Sequence, residues 1–254
     1  GGVLLLSLCR GRGRGGERLS RADLPYTLGM IVLDIAAPIC LMLGLKQAYA
    51  ANASLLGNFE IVATSLIAFF AFRERISGRM WLAIALITAA SVLLSFGGEG
   101  SWRFSAGSVC VLLACACWGL ENNCTRKLSS KSAMQIVVLK GIFSGLGSLV
   151  VALLVGERLP RIGALLCVLA LGFVAYGMSI FWYVRAQSQL GAAKTSAYYA
   201  VAPFIGALLS LLVLGERLSP RYGLAAAVML LGTALVVADT LAASARETSC
   251  ETRG

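Results

Sequence analysis

The chain has 254 residues, of which 58% are hydrophobic and only 13% are charged, and its mean hydropathy is +0.83. This composition leaves too little polar surface to cover a water-soluble globule, so it predicts a membrane protein. The net charge of +10 comes from arginines and lysines scattered between apolar runs, without a binding module or an aromatic-interleaved basic patch. We therefore expect these residues to set membrane topology, and we expect no nucleic-acid partner.

The chain opens with the end of an apolar run, Val3 to Cys9, followed by five arginines between positions 10 and 21. A signal peptide has its basic residues before the apolar region, whereas here they follow it. We interpret this segment as the stub of a truncated span. The internal repeat described below suggests that roughly 40 residues are missing before it.

Eight further apolar runs have the length of roughly 20 residues that a helix needs to cross a hydrocarbon core about 30 Å thick. They are apolar throughout instead of alternating with polar residues, which favours helices over barrel strands. The predicted spans are Leu24 to Leu45, Ala50 to Phe72, Met80 to Phe96, Phe104 to Glu121, Met134 to Val155, Ile162 to Val184, Ala192 to Leu214 and Tyr222 to Thr240. The predicted fold class is all-α, a polytopic transmembrane helix bundle.

Two stretches of the chain, starting at Ala51 and Ala192, repeat the same pattern at an offset of about 142 positions. The offset places Arg73 to Ser77 over Gly215 to Ser219, with apolar runs on both sides of each. The parent would hold two five-helix repeats, or ten helices, of which the stub and eight full spans lie in this chain. We predict residues 1–100 as the first, truncated repeat, 101–245 as the second, and 246–254 as a cytoplasmic tail.

Basic residues are distributed unevenly between the two sides of the membrane. With the first basic loop inside, fifteen arginines and lysines fall on the inside and six on the outside. The positive-inside rule then places the C-terminus in the cytoplasm, and the two repeats face opposite ways. Inverted repeats suit alternating access.

The turn Glu-Arg-(Ile/Leu)-Ser between apolar helices occurs at Glu74 to Ser77 and at Glu216 to Ser219. Together with Pro203 and the run GTALVV from Gly232, it resembles the EamA-type repeat of the drug/metabolite transporter superfamily. A Glu-Pro pair often precedes the turn in that family, whereas this chain keeps only Glu60 in one copy and only Pro203 in the other. The resemblance implies a secondary transporter of the cytoplasmic (inner) membrane for small metabolites, amino acids or drugs, often an exporter.

Charged residues within the spans are the candidate binding or coupling groups, because a charge at the bilayer centre costs roughly 2.5 to 3.5 kcal/mol and usually faces a cavity or a partner. The candidates are Asp34, Glu60, Glu121 and Lys140. We expect the three acids to lie at different depths.

Glu60 is predicted near mid-membrane and is our first candidate for a substrate-binding or proton-coupling carboxylate, with Asn58 two residues away. The alternative is a structural role, as a protonated acid or as a partner of Lys140. Asp34 lies four residues before Pro38, where it either lines a kinked helix or satisfies groups freed by the kink.

Glu121 and Asn122 are predicted at a cytoplasmic helix end, where they could bind substrate or be solvated and paired with nearby basic residues. We expect Lys140 to extend its stem toward the membrane surface, with pairing to an acid or an anionic substrate as the alternative. Tyr198 and Tyr199 replace Leu56 and Gly57 of the other repeat, which suits either a midplane binding site or plain helix packing.

The eight cysteines form no metal or disulfide framework, histidine is absent and no phosphate-binding loop occurs, so we expect no cofactor and no metal. The expected partners are membrane lipid, a small-molecule substrate and a coupling proton or ion, and a homodimer is left open. The leading interpretation is a transporter and no enzyme. The alternatives are a membrane-embedded enzyme acting on lipid-linked substrates, which should cluster its acids at one face, and a helical assembly factor.

Overall fold

The computed structural model describes residues 20–73, 76–95, 105–128, 133–157, 160–179, 182, 199–215 and 219–251. Within these residues the chain is helical and contains no strand. The helices are α1 (Leu24–Leu45), α2 (Ala50–Leu56), α3 (Phe59–Phe72), α4 (Gly78–Ser95), α5 (Ala106–Lys127), α6 (Ala133–Leu154), α7 (Ile162–Leu171), α8 (Ala202–Leu214) and α9 (Pro220–Glu251). A π-helical segment, Gly172–Met178, continues α7. The predicted stub at Val3 lies outside the described residues.

The described helices overlap all eight predicted spans, which confirms the all-α, polytopic fold class. α5 continues to Lys127 and α9 to Glu251, into the predicted tail, and parts of the sixth and seventh spans lie outside the described residues. Among the described residues, four stretches are long and apolar enough to cross a membrane: Arg21–Leu45, Ala50–Ala71, Gly78–Ser95 and Pro220–Ala243. Shorter apolar helices cover Val138–Leu154, Ile162–Ala175 and Ala202–Leu214. Large apolar side chains point outward from these helices, with Leu154 81% exposed and Ile162 79% exposed. Hydrocarbon accommodates such a surface, whereas water would not.

The contacts divide the chain into two compact units, Gly1–Ala36 with Glu121–Gln189 and Ala37–Leu120 with Leu190–Gly254. The first unit has a small buried cluster formed by Met30, Leu128 and Ile136. The second unit has a larger core built mainly from α2, α4 and α9, with residues such as Leu56, Ile87 and Met229 fully buried. This division by contacts differs from the division into repeats, which stays a prediction.

The described residues on either side of the two Glu-Arg-(Ile/Leu)-Ser turns have the same local geometry, while residues 74–75 and 216–218 lie outside the described residues. α3 ends at Phe72 and α8 at Leu214, and each is followed by a residue in the left-handed conformation, Arg73 (φ 54°) and Gly215 (φ 65°). The serine of the turn then begins the next helix. The backbone N–H of Met80 donates to Ser77 Oγ (3.0 Å), and that of Tyr222 donates to Ser219 Oγ (3.2 Å). The motif therefore encodes a helix stop followed by a helix N-cap.

Close helix packing in the second unit depends on Gly119 of α5. A Cβ atom at this position would lie 2.7 Å from Ala63 Cβ and 2.8 Å from the backbone nitrogen of Thr64. α5 therefore approaches α3 at a distance that only glycine permits without a shift of one helix. This contact lies two residues before Glu121.

Candidate functional site

Three of the predicted charged residues meet within the first unit. Lys140 Nζ of α6 lies 3.2 Å from Asp34 Oδ1 of α1 and 3.1 Å from Glu121 Oε2 of α5. The side chain of Lys140 is 26% exposed, that of Asp34 is 19% exposed and that of Glu121 is 3% exposed. We refer to these three residues as the ion triad. A lysine shared by two carboxylates inside a membrane protein is the pairing that such charges require.

Glu121 is held more firmly than Asp34. Its second carboxylate oxygen, Oε1, accepts a hydrogen bond from Thr125 Oγ1 at 2.5 Å, one helical turn further along α5. Both oxygens of Glu121 therefore have partners, and the residue is buried. Asn122, the next residue, is half-buried on the same helix.

These positions correct three expectations. Glu121 does not close its helix at a solvated end, because α5 continues to Lys127 and buries the carboxylate. Lys140 pairs with Asp34 and Glu121 instead of placing its ammonium at the membrane surface. Finally, Asp34 and Glu121 do not lie at different depths, since one ammonium group contacts both. The argument from depth against an enzyme therefore does not hold for this pair of acids, and it stays a prediction for Glu60.

The triad lies away from the ends of its three helices. Lys140 lies about seven residues after the start of α6 and Glu121 about six before the end of α5, which correspond to about 10 Å along each helix. Asp34 lies about ten residues, or about 15 Å, after the start of α1. α5 and α6 are consecutive helices, so the distances of Glu121 and Lys140 are both measured from the connection between these two helices.

Glu60 and Asn58 lie in the second unit, at an interruption between α2 and α3. Here the backbone tightens, with Asn58 N–H donating to Leu55 O (3.0 Å) and Glu60 N–H to Gly57 O (3.1 Å), both three residues back. The thiol of Cys115 donates to Leu56 O (3.4 Å) and so satisfies one of the carbonyl groups at the interruption. A short 3₁₀ stretch inside a membrane helix often marks a hinge or a functional site.

Asn58 belongs to a buried polar pair. It is 1% exposed, its side-chain amide donates to Leu55 O (3.2 Å), and its Oδ1 accepts from Thr233 Oγ1 of α9 at 3.5 Å. Thr233 is 4% exposed. The pair links the interruption of the first repeat to the last membrane helix of the second.

In the second repeat, a turn at residues 200–201 occupies the equivalent place and is called the second interruption below; residues 192–198 before it lie outside the described residues. α8 begins at Ala202, as α3 begins at Phe59, and Phe204 N–H donates to Val201 O three residues back (3.1 Å). The two interruptions touch, because Ser54 Oγ of α2 donates to Pro203 O of α8 at 2.9 Å. Tyr199 lies just before this start and is largely exposed, whereas Tyr198 lies outside the described residues.

A cavity of about 420 Å³ adjoins the second interruption. Thr233 is its polar residue, and the other lining residues are Ala200, Val201, Phe204, Leu230, Ala234, Val237, Ala238 and Leu241. Thr233 lies near the middle of the apolar part of α9, and the cavity extends from it toward the C-terminal end of that helix.

Sequence reasoning missed Thr233, Thr125 and Ser54. The repeat contained a signal for Thr233, because its counterpart in the first repeat is Ser91, another small hydroxyl residue in an apolar helix, which is 1% exposed. A buried polar residue at the same position of both repeats indicates a structural or binding role. Among the described residues, no group of three or more histidine, cysteine, aspartate or glutamate side chains is placed to hold a metal ion.

The apolar helices, the interrupted spans and the buried charges define a polytopic membrane protein of the transporter class. A model of the EamA-like transporter family matches residues 1–96 and 105–238. The chain therefore belongs to the EamA-like transporter family, as its motifs predicted, and it is a membrane transporter that sits in lipid and moves small substrates.

Relatives of the chain carry transporter names. It is 27% identical over 238 residues to an uncharacterized transporter of Methanothermobacter thermautotrophicus, a match that covers 90% of this chain and 68% of the relative. It is 25% identical over 159 residues to the uncharacterized inner membrane transporter YedA of Escherichia coli K12, covering 61% of this chain and 52% of that protein. The chain is also similar to a solved crystal structure, with a TM-score of 0.61 and 19% sequence identity. The match covers 93% of this chain and 82% of the chain in that structure, and it supports the fold.

Proposed function

We propose that the chain is a secondary transporter that exports small amphiphilic metabolites, amino acids or drugs across the cytoplasmic membrane by alternating access. The observation that carries the proposal is the pair of turns at equivalent positions of the two repeats, residues 57–58 and 200–201, whose flanking helices are joined by the hydrogen bond from Ser54 Oγ to Pro203 O within one unit. Transporters commonly bind substrate at such interruptions, where the backbone is free to contact a ligand and to hinge.

The cavity beside the second interruption suggests the substrate class. Its walls are aliphatic and aromatic, and its polar residue Thr233 is joined to Asn58 at the first interruption. A molecule with an apolar body and one polar group would match this lining. Glu60, in the first turn of α3, is our candidate for the residue that binds the polar group or takes part in coupling.

The direction of transport rests on the predicted topology. With the C-terminus in the cytoplasm, the cavity extends from mid-membrane toward the cytoplasmic end of α9. A substrate would then enter from inside and leave outside after the interrupted helices rearrange. We therefore expect the transporter to move its substrate outward.

Transport of a pooled metabolite panel by proteoliposomes that contain the chain would test the proposal. Ala234→Phe places a ring in the cavity and should reduce transport at least tenfold, whereas Ala227→Phe adds the same ring to an exposed position two turns earlier on α9 and should leave it intact. Glu60→Gln should also reduce transport. Movement of no metabolite, or equal transport by both phenylalanine variants, would argue against this site and return attention to an enzyme acting on lipid-linked substrates.

A further inference from the structure

We propose that Ser54 of α2, together with Pro203 and Gly206 of α8, closes the outer side of the substrate path, and that α8 separates from α2 when the path opens outward. We refer to these three residues as the outer contact. Its place in a transport cycle rests on the proposed function. The opening of the contact itself can be measured on the chain without any substrate.

The outer contact joins two helices at close range, one from each predicted repeat. Ser54 Oγ donates a hydrogen bond to Pro203 O at 2.9 Å. Gly206 makes room for this serine, because a Cβ atom at position 206 would lie 3.6 Å from Ser54 Cβ and still closer to Ser54 Oγ. A hydroxyl group on α2 and the absence of a side chain on α8 therefore bring the two helices together.

The repeat itself retains the serine. At the offset of about 142 positions, the counterpart of Ser54 is Ser196, which lies outside the described residues. Leu56 and Gly57, which follow closely on Ser54, are both replaced by tyrosines in the second repeat. The serine has therefore been kept where its neighbours have diverged, which favours a role for its hydroxyl group in both repeats.

The outer contact and the cavity lie in opposite halves of the membrane in the predicted topology. Ser54 lies about four residues, or about 6 Å, after the start of α2, and Gly206 lies about eight residues, or about 12 Å, before the end of α8. Both of these helix ends face the outside in that topology. The cavity extends from Thr233 toward the inner end of α9, and its lining residue Phe204 is the neighbour of Pro203. A substrate in the cavity would therefore meet the outer contact on its way out.

α8 is held less firmly than the helices around it. Among the residues that the structure describes, Ala207 is the one buried residue of α8, whereas seven residues of α4 are buried. A turn at residues 200–201 precedes α8, and Gly215, in the left-handed conformation (φ 65°), follows it. Helix ends of this kind absorb the backbone changes of a hinge. α8 can therefore move away from α2 with little loss of buried surface.

A disulfide staple tests whether the outer contact opens. The Cβ separation of 3.6 Å between positions 54 and 206 lies within the range of disulfides, so Ser54→Cys/Gly206→Cys should form one under oxidant and lose it with dithiothreitol. Peptide mass spectrometry of the full chain would verify the bond. Ser54→Cys alone, treated with the same oxidant, is the matched control because it retains every native cysteine but lacks the staple.

Hydrogen exchange in nanodiscs, without substrate, measures the opening. The backbone amides of residues 50–57 and 204–210 should exchange at least about tenfold more slowly in the oxidised staple than in the reduced one. Ser54→Ala removes the hydrogen bond and should raise the exchange rate of these amides about fivefold. Ser210→Ala is its control and should leave the rate unchanged, because the Ser210 hydroxyl donates within α8, to Gly206 O.

Transport by proteoliposomes connects the opening with function. The oxidised staple should reduce transport at least about tenfold, dithiothreitol should restore it, and Ser54→Cys alone should be insensitive to the oxidant. Equal exchange rates before and after oxidation, or full transport by the oxidised staple, would overturn the proposal. A disulfide that does not form would also overturn it, since α2 and α8 would then not meet at these positions. If the unaltered chain transports nothing while the staple still slows exchange, the opening of the outer contact stands and the proposed function fails.

Discussion

Replacing Lys140 by methionine removes the cation of the ion triad while keeping the length of the side chain. Glu121, 3% exposed, and Asp34, 19% exposed, then lose their shared partner. Breaking a buried ion pair from one side costs about 3 to 5 kcal/mol. Because the Lys140 side chain is 26% exposed, water can partly replace it, and we expect a value near the lower limit, about 3 kcal/mol.

The assay is thermal unfolding of the purified chain in detergent. For a chain of this size about 1 kcal/mol corresponds to a change in Tm of about 2 to 4 °C, so Lys140→Met should lower Tm by about 6 to 12 °C. Lys46→Met, at an exposed position just after α1, is the control and should change Tm by no more than about 2 °C. A double-mutant cycle with Glu121→Gln should show a coupling of at least about 1 kcal/mol. Equal Tm values for the two methionine variants would refute the assignment of the triad as a stabilising cluster.

Three further predictions follow from individual contacts. Gly119→Ala places a methyl group 2.7 Å from a neighbouring helix and should destabilise the chain by about 1 to 3 kcal/mol. Gly145→Ala is the control, because a Cβ atom there has nothing within 4 Å, and it should be neutral or slightly stabilising. Equal Tm values for the two variants would contradict the packing argument. Ser77→Ala removes the N-cap of α4 and the hydrogen bond that Ser77 Oγ donates to Asp239 Oδ1 (2.7 Å), and should cost about 1 to 2 kcal/mol. An unchanged unfolding temperature would show that neither contact stabilises the chain. Thr125→Val removes the second hydrogen bond of Glu121 and should cost about 1 to 3 kcal/mol, which the same unfolding assay would detect.

The sequence allowed accurate prediction wherever a local rule decides the outcome. α1 has the predicted bounds, Leu24 to Leu45, because an apolar run of that length must satisfy its backbone internally when it lies in lipid. The repeat predicted two equivalent turns, and the structure gives both the same left-handed stop and the same serine cap. Family membership followed from these same motifs.

The errors arose where a residue's environment is formed by distant parts of the chain. Three polar residues from Glu121 onward looked like a solvated helix end, but helix continuation depends on what the neighbouring helices cover, and here they bury Glu121. Lys140 was expected to extend toward the membrane surface, because the sequence does not show which acid is near it.

The sequence by itself thus determined that the chain is a helical membrane protein with an internal repeat, because length, hydropathy and capping are local properties. The tertiary structure alone decided that Lys140 joins Asp34 to Glu121, and that Asn58 meets Thr233. Each of these pairs is formed when separate helices pack, and the resulting distances decide which buried charge is neutralised and which polar group is satisfied.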